Sequence, residues 1–376
     1  MTACGSGAGG VDGEPSGGLR ALASRAVVTV APGDGATGVP TSDALRITAA
    51  DGRLTAVTVE DGRGGTVDGR IAGDGRSWRP LTHLAAATRY RVHALAEDDQ
   101  GRISAKTSRF TTLVPRNTFI GHHTPEDGAT VGVGMPVSLV FTRGITEPEA
   151  VERAITVTSD PPVEIVGHWF GDDRLDFRPE RFWAPGTRVT VRLGLDGVQG
   201  RPGVYGTQAK TVSFTVGRSQ ISTVDAAIRR MTVVRDGRPL RSLPVTAGAP
   251  ATTTYNGTMV ISEKHEVTRM NGATVGFGGE YDIKDVPHAM RLSASGTFVH
   301  GNYWAPARTF GTANVSHGCV GLRDVRGGRD AAAPAAWLFD NSLLGDVVVV
   351  KNSRDRTIAP DNGLNGWNMP WEEWKR

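Results

Sequence analysis

The stretch "PGDGATGVP" at residues 32–40 returns, only slightly changed, as "PEDGATVGV" at residues 125–133. A second pair follows in the same order, since "SWRP" ending at Pro80 is matched by "DFRP" ending at Pro179. The separation between the copies grows along the chain, as loop insertions in the second copy would produce. A motif that recurs together with its surroundings is typical of a duplicated structural unit.

The residues around these motifs read as short strands that are broken by Gly, Asp and Pro. Examples are "AVVTVAP", "ALRITAA", "LTAVTVED" and "RYRVHALAED". Short strands and turns at this spacing predict an all-β sandwich. We therefore predict two tandem immunoglobulin-like β-sandwiches, at residues 24–115 and 116–217, and we find no cluster of catalytic side chains in either.

The composition of the chain bounds its class. A length of 376 residues suits two or three domains. Apolar residues make up 39% and charged residues 22%, which are values typical of globular domains. The net charge is only +3 and no run of five or six like charges occurs, so we expect no nucleic-acid partner. No apolar stretch approaches the roughly 18 residues that a transmembrane helix needs.

The leader at residues 1–23 begins "MTACGSGAGGVDGEPSGG". Met-Thr-Ala-Cys resembles the end of a lipobox, the cleavage site of bacterial lipoproteins, and a Gly/Ser-rich flexible tether follows it. We expect an in-frame basic and hydrophobic signal segment upstream of this point. Cys4 would then carry a lipid that anchors the protein to the outer face of the plasma membrane. The alternative is a chance cysteine in a disordered tail.

The third part of the chain, residues 218–352, has a different pattern of predicted secondary structure. Its first strands form a predicted hairpin around the Asp236–Gly237 turn. A short helix is predicted between Asp330 and Gly345, with Pro334 in its first turn. A buried strand, "DVVVVKN", follows the helix. We therefore predict a β-rich third domain with a short helix.

The tail at residues 353–376 ends in "DNGLNGWNMPWEEWKR", which contains three tryptophans. Aromatic side chains at this density rarely remain in solvent. We therefore predict that the tail docks back on the fold.

The stretch "NVSHGCVGLRD" at residues 314–324 holds one of the two cysteines of the chain. His300 precedes Cys319 by 19 residues. This length suits a strand, a connecting loop and the start of a second strand, so the two side chains can face each other. An imidazole that takes the thiol proton and later returns it to a leaving amine is the minimum for a cysteine nucleophile. Gly318 lets the backbone bend so that its N–H groups converge, which favours a thiolate and can hold an oxyanion.

Three other interpretations of this cysteine compete with the nucleophile. A zinc site made of His300, His317 and Cys319 would lack a second cysteine and an evident fourth ligand. A disulfide to Cys4 would tie a flexible tail to a folded site. A packing role suits lone cysteines in general, but Ser-His-Gly is polar and turn-like. We therefore favour the nucleophile and expect neither a metal nor a cofactor.

The stretch "HGNYWAPARTFGTANVSHGCVGLRD" at residues 300–324 resembles the active-site signature of the L,D-transpeptidases. These are YkuD-type cysteine enzymes that cross-link bacterial peptidoglycan. Their signature is a His, a spacer, Ser/Thr-His-Gly-Cys, an apolar residue, usually Asn, and commonly Arg two positions further on. The match covers about residues 219–352. The whole arrangement resembles the actinobacterial lipoprotein branch, in which two immunoglobulin-like modules come first and a Trp-rich tail comes last.

The resemblance implies a role for each residue of the signature. Cys319 matches the acylated nucleophile and His300 the general base. Gly301 lies where the family uses a backbone carbonyl to hold the imidazole tautomer, although many members have Ser at this position. His317 and Gly318 match the rest of the turn that presents the cysteine.

The resemblance also implies a substrate-binding set around the catalytic pair. Tyr281 matches a lid tyrosine near the oxyanion, and Ser295–Gly296 match a substrate-contacting strand. Trp304 and Met270 are candidate lid or crevice residues, for which core packing is the alternative. Gly321 departs from the family pattern because Asn is usual there, so an amide contact to substrate is lost or replaced.

The activity implied by the resemblance is acyl transfer between peptidoglycan stem peptides at the cell envelope. The Cys319 thiolate would attack the third residue of a tetrapeptide donor, D-Ala would leave, and an acceptor amine would complete a 3→3 cross-link. Carbapenems are expected covalent inhibitors. Two alternatives stay open. One is an L,D-carboxypeptidase or endopeptidase that uses water as the acceptor, and the other is a non-catalytic wall-binding protein.

Overall fold

The computed structural model of the protein describes residues 23–274 and 278–376. Cys4 and the predicted leader around it lie outside the described residues. The described chain is mainly β, as predicted, and it divides into two compact units, with the boundary in the chain between Val114 and Pro115. Within the described residues, no helix is both long enough and apolar enough to cross a membrane.

The first unit is a sandwich of two sheets with strand orders β1-β3-β6-β5 and β2-β8-β7-β4. Buried and exposed residues alternate along β1 and β7, because successive side chains of a strand point to opposite faces. The buried faces enclose a core that includes Ile47, Trp78 and Phe110. The strands are β1 Val27–Ala31, β2 Ala36–Val39, β3 Arg46–Ala50, β4 Arg53–Asp61, β5 Gly69–Ile71, β6 Ser77–Pro80, β7 Arg89–Glu97 and β8 Ile103–Thr112.

The second unit begins with a sandwich that repeats this topology. Its sheets have strand orders β10-β12-β15-β14 and β11-β19-β16-β13, and a small sheet β17-β18-β9 lies beside them. The elements are β9 Asn117–Phe119, β10 Gly121–Thr124, β11 Thr130–Val131, β12 Val137–Phe141, α1 Pro148–Arg153, β13 Ile155–Asp160, β14 Val166–Phe170, β15 Arg174–Arg178, β16 Arg188–Gly194, β17 Gln199–Arg201, β18 Val204–Gly206 and β19 Ala209–Val216. The prediction of a duplicated sandwich is confirmed.

The repeated motif has the same structural task in both copies. The Asp34 carboxylate accepts a hydrogen bond from the Arg109 N–H at 2.7 Å. The Asp127 carboxylate accepts one from the Ser213 N–H, also at 2.7 Å. The glycine that follows each aspartate has a positive φ, which glycine tolerates at little cost. The motif therefore ties the chain before β2 and β11 to the last long strand of each sandwich.

The second unit continues into a mixed sheet with strand order β23-β28-β20-β21-β22-β27-β26-β25-β24. The pairs β20–β28 and β26–β27 are parallel, and the other pairs are antiparallel. The strands are β20 Gln220–Asp225, β21 Arg230–Arg235, β22 Arg238–Thr246, β23 Gly257–Val260, β24 Glu263–Asn271, β25 Asp282–Arg291, β26 Phe298–Asn302, β27 Val320–Arg323 and β28 Val347–Lys351.

The predicted hairpin and helix of this region both form. Asp236 has a φ of 48° and Gly237 a φ of 76°, and these left-handed values suit the tight turn between β21 and β22. The helix α2, Pro334–Asp340, is shorter than predicted. Asp330 does not begin it but accepts a hydrogen bond from the Ala332 N–H in the preceding turn. A proline disfavours helical geometry in the residue before it, so the helix starts at Pro334 itself.

One face of strands β26 and β27 is part of the core of this sheet. Val299, Val320 and Leu322 are buried there together with Ala335 and Leu338 of α2. Because side chains alternate along a strand, the residues between them face the other side of the sheet. That second face carries the candidate site.

The Trp-rich tail lies against the second sandwich. Trp374, in the short helix α3 Trp371–Trp374, is fully buried. Its Nε1–H donates to the Val166 carbonyl at 2.9 Å. The guanidinium of Arg178 lies 4.2 Å from the centre of the Trp374 ring. Trp367 donates through Nε1–H to the Gly134 carbonyl at 2.7 Å. These contacts join the tail to β14, to β15 and to the loop between β11 and β12.

Candidate active site

The two residues of the predicted catalytic pair come together on neighbouring parallel strands. His300 lies on β26 opposite Gly321 of β27, and Cys319 comes directly before β27. Val299 and Val320 point into the core. Because of the strand alternation, His300 and Cys319 both face the opposite side, one diagonal step apart.

The ring of His300 is buried and fixed in one tautomer. Its Nδ1 lies 2.9 Å from the carbonyl oxygen of Gly301. A carbonyl only accepts hydrogen bonds, so Nδ1 carries the proton and Nε2 keeps its lone pair. Burial lowers the pKa of His300, while the Gly301 carbonyl and the charge of Asp324 act in the opposite direction. The ring is therefore a neutral base near neutral pH.

The Cys319 thiol departs from the expectation that the turn before it would favour a thiolate. Burial raises the pKa of this thiol to about 11, against the opposing effects of the Phe298 N–H and the positive charge of Arg291. The Sγ atom lies 3.6 Å from the carbonyl oxygen of Gly296, which accepts its S–H. A thiol with so high a pKa needs a base to take its proton before it can act as a nucleophile. Phe298 and Arg291 were not predicted as site residues, although Phe298 lies on the same strand face as His300.

The turn before Cys319 explains the Ser-His-Gly-Cys sequence. The Ser316 hydroxyl donates to the Cys319 carbonyl at 2.5 Å and accepts from the Gly318 N–H at 3.2 Å. Gly318 has a φ of 111°, a conformation that favours glycine. The Ser316 N–H donates to the Ala247 carbonyl at 3.0 Å, just beyond β22. The turn is thus anchored to the next strand and presents the thiol.

Tyr281 and His317 lie next to each other near the thiol. Their ring centres are 5.0 Å apart, and His317 Nε2 lies 2.9 Å from a carboxylate oxygen of Glu280. Burial raises the pKa of Tyr281, and the neighbouring Cys319 and Glu280 raise it further. The Tyr281 hydroxyl therefore stays protonated and can donate a hydrogen bond. The connection between β24 and β25 supplies both Glu280 and Tyr281.

Ser295 and Gly296 do not lie on a strand, as the resemblance implied, but in the turn between β25 and β26. Gly296 has a φ of 94°, and its carbonyl faces the Cys319 thiol. The Ser295 N–H donates to the Asn362 Oδ1 at 3.0 Å, and the Asn362 amide donates back to the Ser295 hydroxyl at 2.8 Å. Asn362 was missed in the sequence because nothing near it in the chain indicates a role at a distant turn.

Trp304 and Met270, the two predicted crevice residues, have different positions. Trp304 is 42% exposed, and its ring stacks on that of His300 at 5.7 Å between centres and an interplanar angle of 15°. Met270 lies on the edge strand β24, where it pairs with Ile283 of β25, and β24 is two strands away from β26. The structure thus brings Trp304 to His300 and leaves Met270 at the side of the sheet.

Gly321 has a steric reason to differ from the family pattern. A Cβ atom at this position would lie 2.9 Å from Cγ2 of Thr246 and 3.5 Å from the side chain of Asn302. A larger side chain would require Thr246 to shift. The buried Asn302 places an amide beside Gly321, and its Oδ1 accepts from the Ala305 N–H at 2.9 Å. Asn302 was not predicted as a site residue, although its spacing from His300 puts it on the same strand face.

The two histidines near Cys319 form hydrogen bonds with other groups of the same chain. His300 is bonded to a backbone carbonyl and His317 to Glu280. Among residues 23–274 and 278–376, no three His, Cys, Asp or Glu side chains form a group that could hold a metal ion.

A neutral base and a protonated thiol on one sheet face are the groups that a cysteine-dependent acyltransferase requires. Residues 219–350 match the family described as the L,D-transpeptidase catalytic domain, and residues 36–199 match the bacterial Ig domain. L,D-transpeptidase 2 of Mycobacterium tuberculosis is 33% identical over 351 residues, which cover 93% of this chain and 84% of that protein. L,D-transpeptidase 5 of the same species is 28% identical over 92% of this chain and 76% of its own length.

Solved structures agree with these matches. The L,D-transpeptidase LdtMt1 in complex with imipenem gives a TM-score of 0.52 at 30% identity, covering 63% of this chain and 100% of that chain. L,D-transpeptidase 3 from Mycobacterium tuberculosis, in complex with a faropenem-derived adduct, gives 0.50 at 25% identity over 62% and 98% of the two chains. The chain belongs to the L,D-transpeptidase family of cysteine-dependent acyltransferases.

Proposed function

We propose that this protein is a peptidoglycan L,D-transpeptidase that forms 3→3 cross-links with Cys319 as nucleophile and His300 as general base. The observation that carries the proposal is the hydrogen bond from His300 Nδ1 to the Gly301 carbonyl. That bond leaves the lone pair of Nε2 free to take a proton on the sheet face that carries Cys319.

The first half of the reaction forms a thioester. Cys319 Sγ attacks the carbonyl carbon of the third residue of a donor tetrapeptide while its proton passes to His300 Nε2. The backbone N–H of Cys319 and the Tyr281 hydroxyl are the proposed donors to the oxyanion. When the tetrahedral intermediate collapses, the C–N bond breaks and His300 returns the proton to the leaving D-Ala.

The second half of the reaction transfers the acyl group. The side-chain amine of an acceptor stem loses a proton to His300 and attacks the thioester carbon. The C–S bond breaks, the proton returns to sulfur, and a new amide joins the two stems. Ser295, Gly296 and Trp304, which border the pair, are the proposed substrate contacts, whereas Met270 lies further away along the sheet.

The rival activity is hydrolysis of the same thioester by water, which would make the protein an L,D-carboxypeptidase or endopeptidase. Incubation with tetrapeptide stems, with and without an acceptor amine, followed by mass spectrometry separates the two. We expect cross-linked dimer and free D-Ala from the wild type and neither from Cys319→Ser. If only the tripeptide forms when the acceptor is present, the protein is a hydrolase and not a transpeptidase. No reaction at all would support the wall-binding alternative.

We also propose that the protein acts outside the cytoplasm and is held at the membrane by a lipid on Cys4. Support comes from the lipobox-like Met-Thr-Ala-Cys sequence and from the location of peptidoglycan. Native protein should partition with membranes and carry a diacylglyceryl thioether on Cys4, detected by mass spectrometry. Native protein with a free Cys4 thiol in the soluble fraction would overturn the anchor.

A further inference from the structure

The turn that faces the thiol belongs to a longer chain of contacts. The Gly296 carbonyl accepts a hydrogen bond from the Cys319 S–H. The neighbouring Ser295 makes two hydrogen bonds with Asn362. Asn365 supports the start of the same turn, since its Nδ2 donates to the Leu292 carbonyl at 2.9 Å. The tail thus supplies amide groups to the turn that carries Gly296.

The segment around Asn362 is held from its other side by the second sandwich. Arg174 on β15 donates to the carbonyl of Asp361 and to the carbonyl of Gly363, each at 2.9 Å. The guanidinium is itself oriented by an ion pair with the buried Asp176 at 3.0 Å. Three residues in a row are therefore fixed, the outer two through their carbonyls by Arg174 and the middle one through its side chain by Ser295.

We propose that Asn362 is a positioning residue that holds the Gly296 carbonyl against the Cys319 thiol, and that Arg174 fixes Asn362 from the sandwich. The immunoglobulin-like module then acts on the reaction through three residues of the tail. Where the proposal concerns catalysis, it rests on the proposed function. The reason is geometric, because a misplacement of about 1 Å in a reacting group can cost about 100-fold in rate.

The test compares Asn362→Ala with a matched variant of the same tail. Asn368 also makes two hydrogen bonds to the sheet, with the backbone N–H and carbonyl of Thr258 on β23 at 2.8 and 2.7 Å. The readouts are the rate of Cys319 acylation by imipenem, measured by intact-protein mass spectrometry, and the melting temperature. We expect Asn362→Ala to acylate about 10- to 100-fold more slowly, and Asn368→Ala to lose a similar amount of stability while it acylates at nearly the wild-type rate.

Two more variants separate positioning from general damage. Asn362→Asp keeps an oxygen that accepts from the Ser295 N–H, so it should recover most of the acylation rate. Arg174→Ala should slow acylation in the same direction. The double variant Asn362→Ala with Arg174→Ala should be no slower than the slower single variant, because both changes act through one path.

Alkylation of Cys319 by iodoacetamide tests the role of Asn362 independently of the proposed function. This reaction needs the thiol but no acyl transfer, and we expect it to be several-fold faster in Asn362→Ala because the Gly296 carbonyl no longer holds the S–H. If wild-type protein gains no imipenem adduct, the proposed function fails and alkylation still decides the role of Asn362. Equal acylation and alkylation rates in Asn362→Ala and wild type, or equal slowing in Asn368→Ala, would overturn the inference.

Discussion

The side chain of Asp324 occupies the place where a side chain of Gly301 would lie. A Cβ atom on Gly301 would be 2.1 Å from Oδ2 of Asp324 and 2.8 Å from its Cβ. The Asp324 carboxylate is buried and cannot swing away freely, since Nδ1 of His288 lies 2.7 Å from Oδ2 and the Val325 N–H donates to Oδ1 at 2.7 Å. Glycine at position 301 is therefore a consequence of the His288–Asp324 pair behind the general base.

Gly301→Ser, which introduces the residue common in the family, should destabilise this protein. The new Cβ must displace Asp324, and overpacking of this kind costs about 1–3 kcal/mol. Urea unfolding of Gly301→Ser, Asp324→Ala and the double variant measures the effect. The double variant should be less destabilised than the sum of the single changes, because Asp324→Ala removes the closer of the two contacts. Strict additivity would mean that the two side chains do not compete for space.

The assignment of nucleophile and base predicts how variants react with imipenem. Wild-type protein should gain one covalent adduct at Cys319, and Cys319→Ser should lose it almost completely. His300→Ala should acylate about 10²–10⁴-fold more slowly, the usual cost of a lost general base. His265→Ala is a suitable control, because this half-exposed histidine on β24 pairs only with Glu263 in the described contacts, at 2.9 Å. Stoichiometric zinc without an adduct would instead indicate a metal site.

The pH dependence of acylation follows from the two shifted groups. Burial lowers the pKa of His300 from its usual 6.5, so the ring stays an unprotonated base to a lower pH than an exposed histidine. The rate should fall only when the pH drops below this lowered pKa, with a midpoint under 6.5. Because the pKa of the Cys319 thiol is raised to about 11, no second rise from thiolate formation should occur between pH 7 and 9. A midpoint above 6.5 in the imipenem acylation profile would contradict this account.

The parts of the fold that could be predicted from the sequence depend on local chemistry. The repeated sandwich motif was recognisable because Asp34 and Asp127 each hold a backbone N–H within a glycine turn. The Cys319 turn was recognisable for a similar reason, since Ser316 and Gly318 fix it through contacts within four residues. Such signals lie side by side in the chain.

The parts that could not be predicted depend on contacts between distant positions. The bond between Ser295 and Asn362 and the competition between Gly301 and Asp324 become visible only when the strands are assembled. The start of α2 was misplaced because Asp330 has the chemistry of a helix cap but bonds within a separate turn. A capping residue and a turn residue look alike in the sequence.

The tail stabilises the second unit chiefly through Trp374. Trp374 is fully buried, donates to the Val166 carbonyl and lies under the guanidinium of Arg178. Trp374→Ala should reduce the free energy of unfolding by about 3–5 kcal/mol, because a large cavity forms and Arg178 loses the nearest of the rings it packs against. Trp371→Ala is the matched control, since Trp371 is only half-buried and lies 5.3 Å from the same guanidinium. Denaturant unfolding should rank wild type above Trp371→Ala and Trp371→Ala above Trp374→Ala. Equal stability of Trp374→Ala and wild type would mean that the docked tail adds nothing to the unit.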